Sequence, residues 1–102
     1  DRIARLKIAA EGLRMGNLRS LTAVMKVGMP GPEGSIAKLQ WSTAAQALAE
    51  LAVELGGLEA LREDSPWAYR FLRSRANSIE GGTSDVLRNI VAERVLGLPR
   101  LR

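Results

Sequence analysis

Glycine and proline cluster at a few places along this chain, and those places divide it. "GMPGPEG" occupies residues 28–34, "GG" 56–57, "SP" 65–66, "GG" 81–82 and "GLP" 97–99. Proline lacks a backbone N–H and fixes φ, while glycine reaches the angles that end a helix, so each cluster is a place where helices stop or start. All four prolines lie in this punctuation. No segment between the clusters alternates with period two for long enough to make a strand.

Within the segments the apolar spacing is helical. Residues 2–27 set Ile3, Leu6, Ala10, Leu13, Leu21 and Val24 on one stripe, with Arg2, Arg5, Lys7, Glu11 and Arg14 mostly off it. A second helix is expected from about 35 to 55, lined by Ile36, Leu39, Leu48, Leu51 and Leu55, with small Ala44 and Ala52 between. Ser35 is its expected N-cap, and Gly56 with Gly57 its stop. Ser65 and Pro66 then read as an N-cap and a first helical residue. They open a short third helix, to about residue 77, that turns Trp67, Phe71, Leu72 and Ala76 toward a core. The fourth helix, from about 84 to 96, carries Val86, Leu87, Ile90, Val91 and Val95 on its apolar face, and Gly97 and Pro99 close it. The expected fold is all-α: an antiparallel, up-down four-helix bundle forming one domain over residues 1–102.

Composition narrows the chemistry. With 46% apolar residues the chain is a packed domain rather than a disordered tail, and with only four aromatics its core must come from Leu, Ile, Val and Ala. There is no Cys and no His, which excludes disulfides, thiolate zinc sites, Cys nucleophiles and His bases within these residues. The lack of Cys fits a cytoplasmic protein. No apolar run approaches the ~20 residues of a membrane span, and no signal peptide is evident. Fifteen basic against eleven acidic residues give a net charge of +4, but the basic residues are spread among acids as on a solvated surface. That spread argues against a nucleic-acid-binding stripe, for which the isoelectric point near 10.3 is the sole motive. The first residue is Asp1 rather than Met, as expected of a piece of a longer chain.

"EGGTSD" at residues 80–85 is the stretch with the most chemical content. Gly81 and Gly82 admit unusual backbone angles and let a ligand approach the main chain closely. Thr83 or Ser84 can cap the helix that follows, and Asp85 then lies in its first turn, where the helix dipole favours negative charge. Spare N–H donors at such a place suit a phosphate, hydroxyl or thioester oxygen. Taken alone, the same residues describe an ordinary helix start. They are neither a phosphate-binding Walker loop nor a dinucleotide-binding glycine fingerprint.

The longer string "GGTSDVLRNIVAERVLGLPR", residues 81–100, closely resembles the C-terminal signature of the acyl-CoA dehydrogenase family. "PGPEGSIAKL" at 30–39 is similar to that family's entry into its next bundle helix, with Lys38 at the place of a recurrent lysine. The resemblance covers essentially the whole chain. It implies the C-terminal helical bundle of a longer flavoprotein that also has an N-terminal helical domain and a middle β domain. The implied reaction is α,β-dehydrogenation of an acyl-CoA thioester: a carboxylate removes the α proton and the β hydrogen leaves as hydride to FAD. The implied partners are the acyl-CoA, an electron-transfer flavoprotein or similar acceptor, and further copies in a dimer or tetramer, or a paired dehydrogenase subunit.

Carried over by position, Thr83 and Asp85, with Gly82 beside them, fall where family members hold FAD. Gly81 falls where many members carry the catalytic Glu and where a backbone N–H meets the thioester carbonyl oxygen, a role that needs no side chain. The nearest carboxylate is Glu80, one residue early. Three alternatives follow: Glu80 is the base, the base lies on another helix of the same bundle upstream of these residues, or the chain is a relative that does not dehydrogenate and only completes a partner's flavin site. At "VELGGLEAL", residues 53–61, Gly56 and Gly57 match a segment that reaches the FAD pyrophosphate of a neighbouring subunit. Val53 and Glu59 depart from it, and a negative Glu59 is unfavourable beside a pyrophosphate. Gly56 and Gly57 serve equally well as a plain helix stop. Trp41, Trp67 and Phe71 read as core or interface residues, and Arg88 and Arg94 as ion-pair partners.

Overall fold

The structure, a computed structural model, describes residues 1–100. Four α-helices follow in order: α1 (Arg2–Val27), α2 (Glu33–Ala60), α3 (Pro66–Ser74) and α4 (Ser84–Ile90). A 3₁₀ turn, Ala76–Ser78, follows α3, and a π-helical turn, Val91–Val95, continues α4. There is no strand among the described residues.

The punctuation acts as its residues dictate. Gly28 ends α1 in the left-handed region at φ 81°, its N–H bonded to Val24 O. Ser65 Oγ accepts from Trp67 N–H at 3.2 Å, with Pro66 at the first helical position. Gly97, at φ 67°, turns the chain so that Leu98 N–H reaches Ala92 O at 2.9 Å. Three boundaries differ from expectation: α3 ends at Ser74 rather than about residue 77, with the 3₁₀ turn after it, and both ends of α2 move. Helix α2 starts two residues early, with Pro32 rather than Ser35 at the cap. Proline's fixed φ, here −69°, already suits a helix, and Ser35 N–H is taken by Pro32 O. Helical hydrogen bonding also resumes past the glycine pair to Ala60. Gly57, at φ 56° and ψ −141°, nevertheless breaks the rod where the stop was expected.

Everything packs on α2. Helices α1, α3 and α4 each lie along it, alternating in direction as an up-down bundle requires. Arg2, at the start of α1, pairs with Glu54 late in α2, and the guanidinium holds that carboxyl below the usual carboxylate range. Arg75, just after α3, pairs with Glu50 at 2.8 Å. The side of α2 that α3 covers is built from small residues: Ser42 and Ala49 are buried, and Ala45 is half-buried. Small side chains let two helices approach closely, and the buried polar ones are satisfied locally. Ser42 Oγ donates to Leu39 O at 3.1 Å and Ser74 Oγ to Phe71 O at 2.8 Å. Gln46 ties the pair by donating to Ser74 O at 3.0 Å and Ser78 Oγ at 3.3 Å.

The bundle is splayed rather than closed. Its radius of gyration is 16.3 Å, where a compact chain of this length has about 13 Å. It exposes 7812 Å², roughly 2,100 Å² more than expected for a folded monomer of 11.1 kDa. Among the described residues only Ala49, Leu51, Ala60 and Leu87 are buried apolar residues, and α1 contributes none. Leu6, Leu13 and Val24 are half-buried on the stripe expected to face the core. Ile3 and Leu21 of that stripe are exposed, and further apolar residues lie off it: Ile8 is 71% exposed, Met15 59% and Met25 79%. Leu72 of α3, expected to face the core, is 70% exposed, because the buried face of this short helix passes through Ser74 and on to Asn77 instead.

So much open apolar surface predicts that residues 1–102 prepared alone self-associate. Sedimentation velocity should show a concentration-dependent species larger than the monomer; a monomer throughout the micromolar range would mean that the splayed faces close on themselves. A second expectation concerns the kink. A Cβ on Gly56 would stand 2.6 Å from the Cβ of buried Ala60. Gly56→Ala should therefore cost about 1–3 kcal/mol in denaturant melts. Gly34→Ala, where nothing lies within 4 Å, should be neutral or slightly stabilising.

Candidate functional site

The turn between the 3₁₀ segment and α4 brings the motif residues together. Glu80 N–H bonds Ala76 O at 2.9 Å, ending the preceding turn. Gly81 follows at φ 64° and Gly82 at φ 103°, angles that an L side chain resists. Gly81 has open space where a Cβ would stand; at Gly82 a Cβ would meet buried Leu87 at 3.3 Å. Thr83 then returns to extended angles, φ −63° and ψ 155°, and caps α4. Its Oγ1 accepts from Val86 N–H at 3.4 Å and its carbonyl from Leu87 N–H at 3.0 Å. Of the two possible caps, Thr83 is the one used.

Among the described residues, the N–H groups of Gly81, Gly82 and Thr83 find no acceptor. Gly81 and Thr83 are exposed and Gly82 is half-buried. Three consecutive backbone donors are thus open to an oxygen-rich ligand. A flavin or a thioester carbonyl offers such oxygens, and the open space at Gly81 admits one, so the residues fit the group that the resemblance implies.

Charge around the turn is arranged in pairs. Arg73 Nη2 donates to both carboxylate oxygens of Glu80, at 3.0 and 2.8 Å, while Nη1 reaches Asn77 Oδ1 at 3.4 Å. The hydrogen bond to Glu80 raises Arg73 above its ordinary pKa. Asp85 accepts from Arg88 Nη1 at 2.9 Å, three residues along α4. The structure thus bears out Arg88 as an ion-pair partner, whereas Arg94 makes no ion pair among the described residues. Sequence reasoning left Lys38 without a role. Its half-buried Nζ crosses from the second turn of α2 and donates to Gly82 O at 2.9 Å.

Gly56 and Gly57 do not join this turn. They lie 18 residues beyond Lys38 on α2, about 27 Å along the helix axis. Glu59, on the short turn after the kink, is exposed and 3.8 Å from Arg62. Trp41 is exposed, and Trp67 and Phe71 are half-buried. Each of the latter two carries an arginine over its ring: Arg70 at 5.0 Å from the Trp67 centroid and Arg75 at 4.5 Å from Phe71. These rings are spent on the protein's own cations.

A further feature was not legible in the sequence. A groove of about 700 Å³ runs between α1 and α2 toward α4, floored by Leu6, Leu39 and Ala44 and rimmed by Arg2, Arg5 and Arg88. Its existence depends on how far α1 splays from α4, which no local pattern encodes. No metal-binding cluster of acidic residues occurs among the described residues, and no helix is long and apolar enough to cross a membrane.

Comparison with known proteins gives consistent matches. The acyl-CoA dehydrogenase C-terminal domain family matches residues 1–96. Acyl-CoA dehydrogenase IpdE1 of Mycolicibacterium smegmatis is 36% identical over 105 residues, covering 98% of this chain. IpdE1 of Mycobacterium tuberculosis is 36% identical over 93 residues and 81% of the chain, and acyl-CoA dehydrogenase FadE34 of the same organism 36% over 100 residues and 98% of the chain. The chain spans 26% and 24% of the two IpdE1 proteins and 14% of FadE34. No solved structure matches it. An all-α fold of alternating helices, a two-glycine turn capped by Thr83 and a family match from the first residue to the end of α4's π turn lead to one assignment: the chain belongs to the acyl-CoA dehydrogenase family, as its C-terminal domain.

Proposed function

We propose that this chain is the C-terminal domain of an FAD-dependent enzyme that dehydrogenates an acyl-CoA thioester between its α and β carbons. The observation that carries the reading is the row of three unpaired N–H groups at Gly81, Gly82 and Thr83, held on a two-glycine turn in a chain of this family. When bound, FAD supplies the two-electron chemistry by accepting the β hydrogen.

The chain's own residues then divide the work. Gly81 N–H donates to the thioester carbonyl oxygen, where negative charge develops as the α proton leaves, and a backbone donor there lowers the barrier. Gly82 and Thr83 give backbone donors to the flavin. Asp85 keeps Arg88 along α4, so that the first turn presents a neutralised carboxylate rather than a bare charge. Gly56 and Gly57, about 27 Å along α2 from Lys38, would contact the flavin pyrophosphate of a neighbouring copy. Two-electron turnover requires an acceptor, for which an electron-transfer flavoprotein is the natural class.

For the base, the engagement of Glu80 favours a carboxylate on a bundle helix upstream of these residues. Both oxygens of Glu80 are engaged by Arg73, and the side chain must abandon that clamp to reach a substrate carbon. The same observation supports the second reading, a bundle that completes a partner's flavin site without catalysing.

Two expectations follow. The purified full-length protein should show flavin absorption bands that bleach when acyl-CoAs are added anaerobically; bound flavin that never bleaches would put the substrate or the base in question, and no flavin at all would overturn this reading in favour of the partner-completing bundle. In the same protein, Glu80→Gln should leave α-proton exchange within about twofold, since loss of a true general base costs about 10²–10⁴-fold. A fall of that size with flavin retained would instead make Glu80 the base.

A further inference from the structure

Among the described residues, Lys38 is the one charge at the turn that the pairs leave over. Glu80 is matched by Arg73 and Asp85 by Arg88. Lys38 reaches the same turn, half-buried, and pairs with no carboxylate among the described residues. Its ammonium has three donors, and the structure gives it one acceptor, Gly82 O.

That acceptor matters because of peptide geometry. The Gly82 carbonyl and the Thr83 N–H belong to one planar trans peptide, so they point in opposite directions. This plane turns about ψ of Gly82, which has no side chain to restrain it, and about φ of Thr83, which stands at −63° in the cap. Neither glycine has a side chain to hold it, and no backbone acceptor or donor within the turn fixes Gly81, Gly82 or the Thr83 N–H. A charged donor drawing the Gly82 oxygen toward α2 therefore aims the Thr83 N–H away from α2.

We infer that Lys38 is a positioning residue for the flavin-binding turn: its ammonium fixes the Gly82–Thr83 peptide plane, and its unmatched charge favours an electron-rich ligand oxygen there. This rests on the proposed function for the identity of the ligand, though not for the pinning itself. Family membership does not supply it; the 2.9 Å bond and the missing carboxylate do.

The test uses the full-length protein with Lys38→Met and Lys38→Arg, and two readouts. The first is amide hydrogen exchange in protein stripped of flavin. The bonds from Val86 and Leu87 N–H to Thr83 are the first that depend on the turn. Lys38→Met should speed exchange at both amides about tenfold, the scale of one charged hydrogen bond, while amides of α3 stay unchanged. The second is FAD affinity by titration, which should weaken about tenfold in Lys38→Met and return to within about twofold in Lys38→Arg, whose guanidinium restores a charged donor. Unchanged exchange at Val86 and Leu87, or acceleration spread through α3, would overturn the inference, as would flavin affinity equal in Lys38→Met and wild type. Should Lys38→Met not fold, Lys38→Arg decides alone: native exchange and affinity support the pinning, and loss of both overturns it. If wild type binds no flavin, the proposed function falls, and the exchange comparison still judges Lys38.

Discussion

The packing of three helices on α2 is the constraint from which the other features follow. Small residues on one side of α2 let α3 come close, and Gln46 locks the two by bonding the end of α3. That contact sets where the 3₁₀ turn ends, and so where the two glycines begin. From the start of α2, Lys38 reaches the second of them. The candidate site is thus not a self-contained loop. It is a short piece of backbone that follows the α2–α3 contact and is held by a lysine from the start of α2, with Leu87 of α4 beneath Gly82.

Much of this was readable in the residues. Clusters of glycine and proline carry local backbone physics, and local physics is what a sequence displays directly. The cap at Ser65 and the breaks at Gly28, Gly57 and Gly97 stand where their chemistry requires. Gly81 to Asp85 form one turn because they are contiguous. Ser35 misled because two signals overlapped there, a serine of capping type and a proline that had already started the helix. Leu72 misled because nine residues give too few turns for the apolar spacing to outweigh the close α2–α3 contact.

What could not be read is what depends on separation in space. Lys38 and Gly82 are 44 residues apart, as Arg2 and Glu54 are 52 apart, and nothing local in either stretch names its partner. Arg73 and Glu80, seven residues apart, straddle two elements whose phase relation is set by the 3₁₀ turn. The groove beside α1 is of the same kind. The apolar residues on several sides of α1 were visible in its sequence, but a helix apolar on more than one side specifies that it has several neighbours, not which ones.

Because Lys38 and the Gly56–Gly57 kink lie on one unbroken rod, α2 fixes a phase as well as a length. Adding or deleting a single residue between them would turn one end about 100° against the other and shift it by about 1.5 Å. The lysine would then leave the glycine carbonyl, or the kink would leave its neighbours. Drift in chain length is therefore tolerated in the exposed link of residues 61–64 and barred from the stretch between Lys38 and Gly56. In this respect α2 behaves as a ruler, whose graduations are helical turns.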